Sequence, residues 1–302
     1  MMKNIKFTHF TALLYAAVLT GCAVPVPKTG LAVINTPVNV SYSSLMTQVT
    51  ADSSVKLAYG QHALQFGRLY LPAETPATSK SALTPLLIFV HGGCWLNTYD
   101  MSHSSAFSQA VANAGVAVWS IEYRRSGDEG GGWPGSLEDV LAGVRFAKTT
   151  LESLVPQASL DQRNIVLAGH SAGGHLALLA ATSQQSDVVG TVRGVIGLAA
   201  ITNVLSYAQG SNSCQRATVQ FMGGTPQQLP GRYLLASPAL HRAAENALLL
   251  QGSSDSIVPA EQAIDSGMPY RIVANAGHFD WIHPQTEAYK QFLAALKELV
   301  EQ

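Results

Sequence analysis

The chain has 302 residues, with 18 lysines and arginines against 19 aspartates and glutamates, and a formal net charge of −1 at pH 7. Hydrophobic residues make up 47% and charged residues 12%, which excludes an intrinsically disordered chain because such chains lack the apolar surface for a core. No run of lysine and arginine is present, and phosphate binding needs clustered positive charge, so a nucleic-acid partner is not expected.

The chain opens on a short basic segment followed by an apolar one. Lys3 and Lys6 precede the apolar residues 10–19, a stretch too short to span a bilayer as a stable anchor. It ends in Leu-Thr-Gly-Cys at residues 19–22, which resembles the lipobox of bacterial lipoproteins, whose cysteine becomes the lipidated first residue. The resemblance implies lipidation at Cys22. An ordinary signal peptide with a chance cysteine is the alternative.

These features predict a signal peptide over residues 1–21, a lipidated N-terminus and tether over 22–36, and a single domain over 37–302. Ala23 follows the cysteine, which in a Gram-negative cell implies sorting to the outer membrane. The expected localisation is therefore that of an exported lipoprotein, in contact with the membrane through its N-terminal lipid only.

Short apolar runs then alternate with longer helix-like segments. The predicted strands are residues 66–71, 86–90, 116–121, 165–168, 194–198, 247–251 and 270–274. The predicted helices are residues 103–114, 136–155, 172–184, 260–266 and 284–301. This alternation predicts an α/β fold with a mostly parallel sheet and helices on both faces. Such sheets bind ligands beyond the carboxyl ends of their strands, so function is expected in the loops that follow them.

One of these loops carries Gly-His-Ser-Ala-Gly at residues 169–173, between a predicted strand and a predicted helix. The sequence matches G-x-S-x-G in the context that this motif requires. Glycines keep side chains out of a tight strand-to-helix turn, and the helix N-terminus favours negative charge. The pattern predicts that the turn presents Ser171 as a nucleophile.

A serine hydroxyl needs a base, and the base needs a carboxylate that fixes its tautomer. His278 follows the last predicted strand directly, whereas His283 precedes Pro284 and is expected to open the last helix, so His278 is favoured. Asp255 is the only acid in the loop after residues 247–251. It is therefore the predicted partner of the histidine; a purely turn-capping aspartate is the alternative.

Stabilisation of an oxyanion requires backbone donors, and a glycine-containing loop can supply them. His-Gly-Gly-Cys-Trp at residues 91–95 follows a predicted strand, and its glycines let the backbone approach a substrate closely. The predicted donors are the amides of Gly93, Cys94 and Ala172. We expect His91 to brace this loop and not to act as a second base.

Other candidate residues surround these motifs. Trp95, Trp133 and His170 are candidate substrate-pocket residues, and residues 201–235 are expected to form a small cap over the acyl pocket. No H-E-x-x-H motif and no cluster of cysteine pairs is present, so no metal and no cofactor is expected. Cys94 and Cys214 could form a disulfide or remain separate buried thiols, and the sequence leaves both open.

Taken in chain order, the motifs resemble those of the α/β-hydrolase superfamily. The resemblance is to its esterase/lipase branch with HGG-type oxyanion loops, which includes carboxylesterases and feruloyl-esterase-like and arylformamidase-like proteins. It covers about residues 55–300, and its order of Ser171, Asp255 and His278 is the one expected for this superfamily. Cys94 stands where lipase-like members carry glycine, which is closer to the formamidase-like and feruloyl-esterase-like members.

The resemblance implies a serine hydrolase that cleaves a short-chain or aromatic carboxylic ester through an acyl-enzyme, acting on a small-molecule ester without a cofactor. Two alternatives stay open. An arylformamidase would use the same groups on an N-formyl amide, and a lipoprotein could use the fold for binding without catalysis. The sequence does not indicate which oligomeric state the protein adopts.

Overall fold

The computed structural model describes residues 36–48, 53–73, 83–182, 192–241 and 246–301. The signal peptide, Cys22 and all of the tether except Thr36 lie outside these ranges. Thr36–Gln302 form one compact unit by their contacts. Within the described ranges, no helix combines the length and the apolar character needed to cross a membrane.

A single mixed sheet forms the centre of this unit. Its described strands are β1 (Val55–Ala58), β2 (Phe66–Tyr70), β3 (Thr84–Val90), β4 (Ala117–Ile121), β5 (Leu160–His170), β6 (Val192–Leu198), β7 (Ala247–Gly252) and β8 (Tyr270–Val273). They lie in the order β1-β2-β4-β3-β5-β6-β7-β8. β2 pairs antiparallel with both β1 and β4, and every pair from β4 to β8 is parallel. The mostly parallel α/β sheet predicted from the sequence is confirmed.

Helices connect the strands. The described α-helices are α1 (Tyr42–Met46), α2 (Ser105–Asn113), α3 (Gly135–Thr149), α4 (Leu151–Leu154), α5 (Ala172–Thr182), α6 (Val204–Tyr207), α7 (Ser213–Met222), α8 (Pro230–Leu235), α9 (Glu261–Ile264) and α10 (Glu287–Val300). Residues 201–235, the predicted cap, therefore hold three short helices, α6 to α8.

The alternation of side chains along β3 shows how helices cover both faces of the sheet. Leu86, Ile88 and Val90 belong to a core cluster that also contains buried apolar residues of α3 and α5. Leu87 and Phe89 point to the opposite face and pack in a second cluster with α2 and α10. All five side chains are fully buried, which explains why this strand is an unbroken apolar run.

The structure departs from the predicted elements at several places, of which three are instructive. β1 was not predicted because it is an edge strand whose residues are mostly exposed and do not form an apolar run. β5 begins at Leu160 instead of residue 165, since its first half is polar and only partly buried. The last helix begins at Glu287 with Thr286 as its N-cap, so the expectation that His283 opens it was wrong.

Candidate active site

Ser171 lies on the turn between β5 and α5 in the left-handed region, with φ of 57°. A non-glycine residue adopts this region only where its surroundings enforce it. The Ser171 amide donates to the carbonyl of Leu198 on β6 at 2.8 Å, and the Ser171 carbonyl accepts from the amide of His175 at 3.0 Å. Both bonds fix the turn between the sheet and the helix.

The glycines on each side of Ser171 are required by close backbone approach. A Cβ on Gly169 would lie 2.3 Å from the carbonyl oxygen of Gly173. A Cβ on Gly173 would lie 2.2 Å from the carbonyl oxygens of Val90 and His91, in the strand and loop next to it. The turn can therefore exist only with glycine at these two positions, which is the steric reason that the sequence motif indicated.

Asp255 contacts His278 at the carboxyl edge of the sheet. Asp255 Oδ2 lies 2.8 Å from His278 Nδ1, and Oδ1 accepts from the amides of Ile257 and Val258 at 2.8 and 2.9 Å. Burial would raise the pKa of Asp255, but the neighbouring His278 ring and these amides outweigh it and lower the pKa below its ordinary value. Asp255 thus caps its turn and also contacts the histidine as an ionised carboxylate.

Ser171 and His278 both line a cavity of about 210 Å³. Asp255 Oδ2 accepts a hydrogen bond from Nδ1–H of His278, which leaves Nε2 of a neutral ring as an acceptor. Ser171 Oγ is buried, and within the described ranges it makes no hydrogen bond. The structure therefore joins the carboxylate to the imidazole and places the hydroxyl in the same cavity, without a bond between hydroxyl and ring.

His170, predicted at the substrate pocket, lines the same cavity. Its Nε2–H donates to the carbonyl of His278 at 2.9 Å, and the two rings lie 4.6 Å apart. Burial, and next the neighbouring His278, hold the pKa of His170 well below its ordinary value, so the ring is neutral. His170 therefore holds the backbone of His278 in the cavity that also contains Ser171, the residue that follows His170 in the sequence.

The loop predicted to supply oxyanion donors lines the same cavity as Ser171. Gly93 and Cys94 line the cavity and both have positive φ, 114° and 54°. Ala172 is the first residue of α5, where a helix leaves its amides without intrahelical partners. Cys94 forms a disulfide with Cys214 on α7, with the Cα atoms 5.1 Å apart. The disulfide settles the question that the sequence left open and ties this loop to the helices of residues 201–235.

His91 at the start of the loop is a brace. Its ring is fully buried, and Nε2 lies 2.9 Å from Glu122 Oε1. The other oxygen of Glu122 accepts from the Met101 amide at 3.0 Å, and Arg125 lies 3.1 Å from Oε1. Burial raises the pKa of Glu122, yet His91 and Arg125 outweigh it and lower the pKa. The contacts of the ionised Glu122 with His91 and Arg125 therefore fix the start of the loop.

The two tryptophans predicted at the substrate pocket do not line the cavity at Ser171. Trp95 is fully buried, stacks on Phe221 with ring centroids 4.7 Å apart, and donates from Nε1–H to Nδ1 of His175 at 3.1 Å. Its backbone has a positive φ of 57°. Trp133 is half-buried, and its ring also contacts Phe221, with centroids 6.4 Å apart. The assignment of Trp95 is corrected because its ring packs in the core, whereas Trp133 stays a candidate pocket residue.

Several cavity residues were not predicted. Tyr42, Tyr99, His103 and Phe279 line the cavity together with Ser171. Burial lowers the pKa of His103 to about 4. No local pattern could indicate these residues, because Tyr42 and Phe279 come from opposite ends of the chain. Among the described residues, no group of three or more histidines, cysteines and acids is arranged to hold a metal ion.

The sheet, the strained serine turn and the loop order define the α/β-hydrolase fold. The chain belongs to the BD-FAE family, whose profile matches residues 69–266, about two thirds of the chain. This match begins at β2 and ends just after α9, so it contains Ser171 and Asp255 but not His278.

Known proteins with similar sequence or structure carry esterase names. Esterase LipC of Mycobacterium tuberculosis is 28% identical over 193 residues, 59% of this chain and 46% of the relative. The crystal structure of esterase B from Lactobacillus rhamnosis has a TM-score of 0.66 at 18% identity, covering 86% of this chain and 90% of that one. A truncated carbohydrate esterase from gut microbiota has a TM-score of 0.65 at 22% identity, covering 84% and 99%. The chain spans about half or less of the length of the curated relatives it matches.

Proposed function

We propose that this protein is a carboxylesterase-type serine hydrolase that acts on short-chain or aromatic carboxylic esters. The observation that carries the proposal is the 2.8 Å contact of Asp255 with His278 in the cavity that Ser171 enters from a strained turn. The named esterases among the similar proteins agree with this chemistry.

In the proposed mechanism Ser171 Oγ attacks the ester carbonyl, and His278 takes the hydroxyl proton at Nε2. The ionised Asp255 stabilises the imidazolium that forms. The tetrahedral oxyanion accepts hydrogen bonds from the amides of Gly93, Cys94 and Ala172, and the loss of one such donor typically costs about 3–4 kcal/mol.

The imidazolium of His278 then protonates the departing alcohol, which leaves an acyl group on Ser171. Water enters, loses a proton to His278, and releases the acid by the same steps in reverse order. Every group needed for acid–base and covalent catalysis is a side chain or amide of this chain, so the proposed mechanism requires no cofactor.

A substrate panel tests the proposal. The protein is assayed with the p-nitrophenyl esters of acetate, butyrate and octanoate and with N-formyl-kynurenine, and Ser171→Ala serves as the control. Ester turnover that falls at least about 10³-fold in the variant supports the esterase. Dominant turnover of the formamide would assign the protein to arylformamidase-type amide hydrolysis. A folded protein that is inactive on every substrate would contradict catalysis and favour a binding lipoprotein.

The N-terminal anchor is a separate proposal that rests on the sequence of residues 19–22 alone. We propose lipidation of Cys22 after removal of residues 1–21, with the domain exported and held at the outer membrane. Metabolic labelling with a radioactive fatty acid tests it. Label should enter the wild type and not Cys22→Ser, and equal labelling of the two would contradict the anchor.

A further inference from the structure

The cavity at Ser171 is lined in part by residues outside the BD-FAE match. Tyr42, the first residue of α1, lines the cavity, whereas the family match begins only at residue 69. On the basis of the proposed ester hydrolysis, we propose that Tyr42, Tyr99 and Phe279 form the subsite for the leaving alcohol. This aromatic wall selects esters of aromatic alcohols over esters of alkyl alcohols.

The three rings of the aromatic wall are arranged to receive a further ring. Tyr42 meets Tyr99 edge to face at 5.5 Å and Phe279 edge to face at 5.7 Å. All three side chains are half-buried, so each keeps part of its surface toward the cavity. Aromatic pairs favour this edge-to-face geometry, and an aromatic group that entered the cavity would extend the same packing.

The segment that carries Tyr42 is held firmly to the loop that carries His278. The buried carboxylate of Asp280 accepts from the amides of Asn39 and Val40, both at 2.7 Å, and from the amide of Gly277 at 3.0 Å. Such charge-assisted bonds are about twice as strong as neutral ones. The carboxylate of Asp280 therefore fixes both the backbone just before Tyr42 and Gly277, the residue that precedes His278.

A second contact holds the far end of the same segment. Gln48, beyond α1, lies 2.8 Å from Nε2 of His283 through its side-chain amide. Leu45 of α1 is buried in the core cluster that contains Trp281. Contacts before α1, after α1 and at its buried Leu45 therefore hold the helix in place. Tyr42 is for this reason a fixed part of the cavity wall.

The position of the base assigns the aromatic wall to the alcohol. His278 must pass its proton to the leaving oxygen, so the alcohol has to lie against the neighbours of this ring. Phe279 is such a neighbour, with centroids 5.0 Å apart, and Tyr42 packs against Phe279. The cap side of the cavity is different in chemistry, since it presents Asn212 and Ser213 beside the disulfide. We therefore assign the cap side of the cavity to the acyl group.

Competition within one vessel tests the assignment without depending on the amount of folded enzyme. Benzyl acetate and n-propyl acetate are mixed with the protein, and the two alcohols released are quantified, which gives the ratio of the two kcat/KM values. A second mixture of benzyl acetate and benzyl butyrate measures acyl preference. Tyr42→Ala is expected to lower the benzyl-to-propyl ratio about 3–10-fold, the effect of losing one ring contact, and to leave the acetate-to-butyrate ratio unchanged.

Two variants serve as controls. Tyr42→Phe keeps the ring, and Met46→Ala changes an exposed side chain on the same helix, so both should keep the wild-type ratios. A benzyl-to-propyl ratio that is unchanged in Tyr42→Ala would overturn the inference while ester hydrolysis stands. A change in the acyl ratio alone would also overturn it, because the wall would then hold the acyl group. If wild-type protein releases no alcohol from any ester, the proposed function fails and the inference fails with it.

Discussion

His170 donates from Nε2–H to the backbone carbonyl of His278 at 2.9 Å, so the residue before the proposed nucleophile holds the residue proposed as its base. The bond joins the end of β5 to the loop after β8, two parts of the chain that are separated by 108 positions. The distance between Ser171 and His278 therefore depends on the side chain of His170, which does not itself react.

His170→Leu is therefore expected to lower kcat by about 10–100-fold with KM little changed, because a small displacement of a catalytic group has an effect of this size. His241→Leu is the matched control, since His241 also donates from Nε2–H to a backbone carbonyl, that of Leu235 at 3.0 Å, but outside the cavity. Steady-state kinetics on p-nitrophenyl acetate measures both variants. Equal kcat values for the two would show that the bond does not position His278.

The Cys94–Cys214 disulfide closes a loop of 120 residues and is expected to contribute about 3–5 kcal/mol to the free energy of unfolding. Urea unfolding with and without dithiothreitol measures this contribution. The reductant should lower the midpoint of the wild type to that of Cys214→Ser and have no effect on the variant. A wild-type midpoint that does not move under reducing conditions would contradict a stabilising bond.

Buried histidines predict how stability depends on pH. Burial lowers the pKa of His175 to about 4, and its Nδ1 accepts from Trp95 Nε1–H while Nε2–H donates to Ala236. Protonation of Nδ1 would break the first of these bonds. Because the unfolded chain binds this proton at the ordinary pKa of about 6.5 and the folded chain does not, stability falls as pH drops from about 6.5 toward 4. His103, with a pKa also lowered to about 4, acts in the same direction.

Urea unfolding between about pH 6 and about pH 5 should show a loss approaching 1.4 kcal/mol per pH unit for each such histidine. In His175→Gln the slope of the free energy of unfolding against pH should be smaller than in the wild type by the contribution of one bound proton. A variant at position 175 with an unchanged slope would show that this ring does not resist protonation in the folded state.

The fold and the glycine-flanked turn at Ser171 were predictable because their signals are local. An apolar run such as β3 and the glycines around Ser171 result from burial and steric limits that act within a few residues. The wall formed by Tyr42 was not predictable, since it depends on the docking of Val40 on Asp280 across 240 positions. Trp95 was placed wrongly because its ring packs against Phe221 and bonds to His175, partners that lie far along the chain.

Covalent labelling tests whether Ser171 is the nucleophile of the proposed reaction. The protein is treated with a fluorophosphonate, a reagent that phosphonylates activated serines, and its intact mass and peptide masses are measured. We expect one adduct, located on Ser171, and no adduct in Ser171→Ala. An adduct on another residue, or ester hydrolysis that continues in a protein that takes no label, would contradict this assignment.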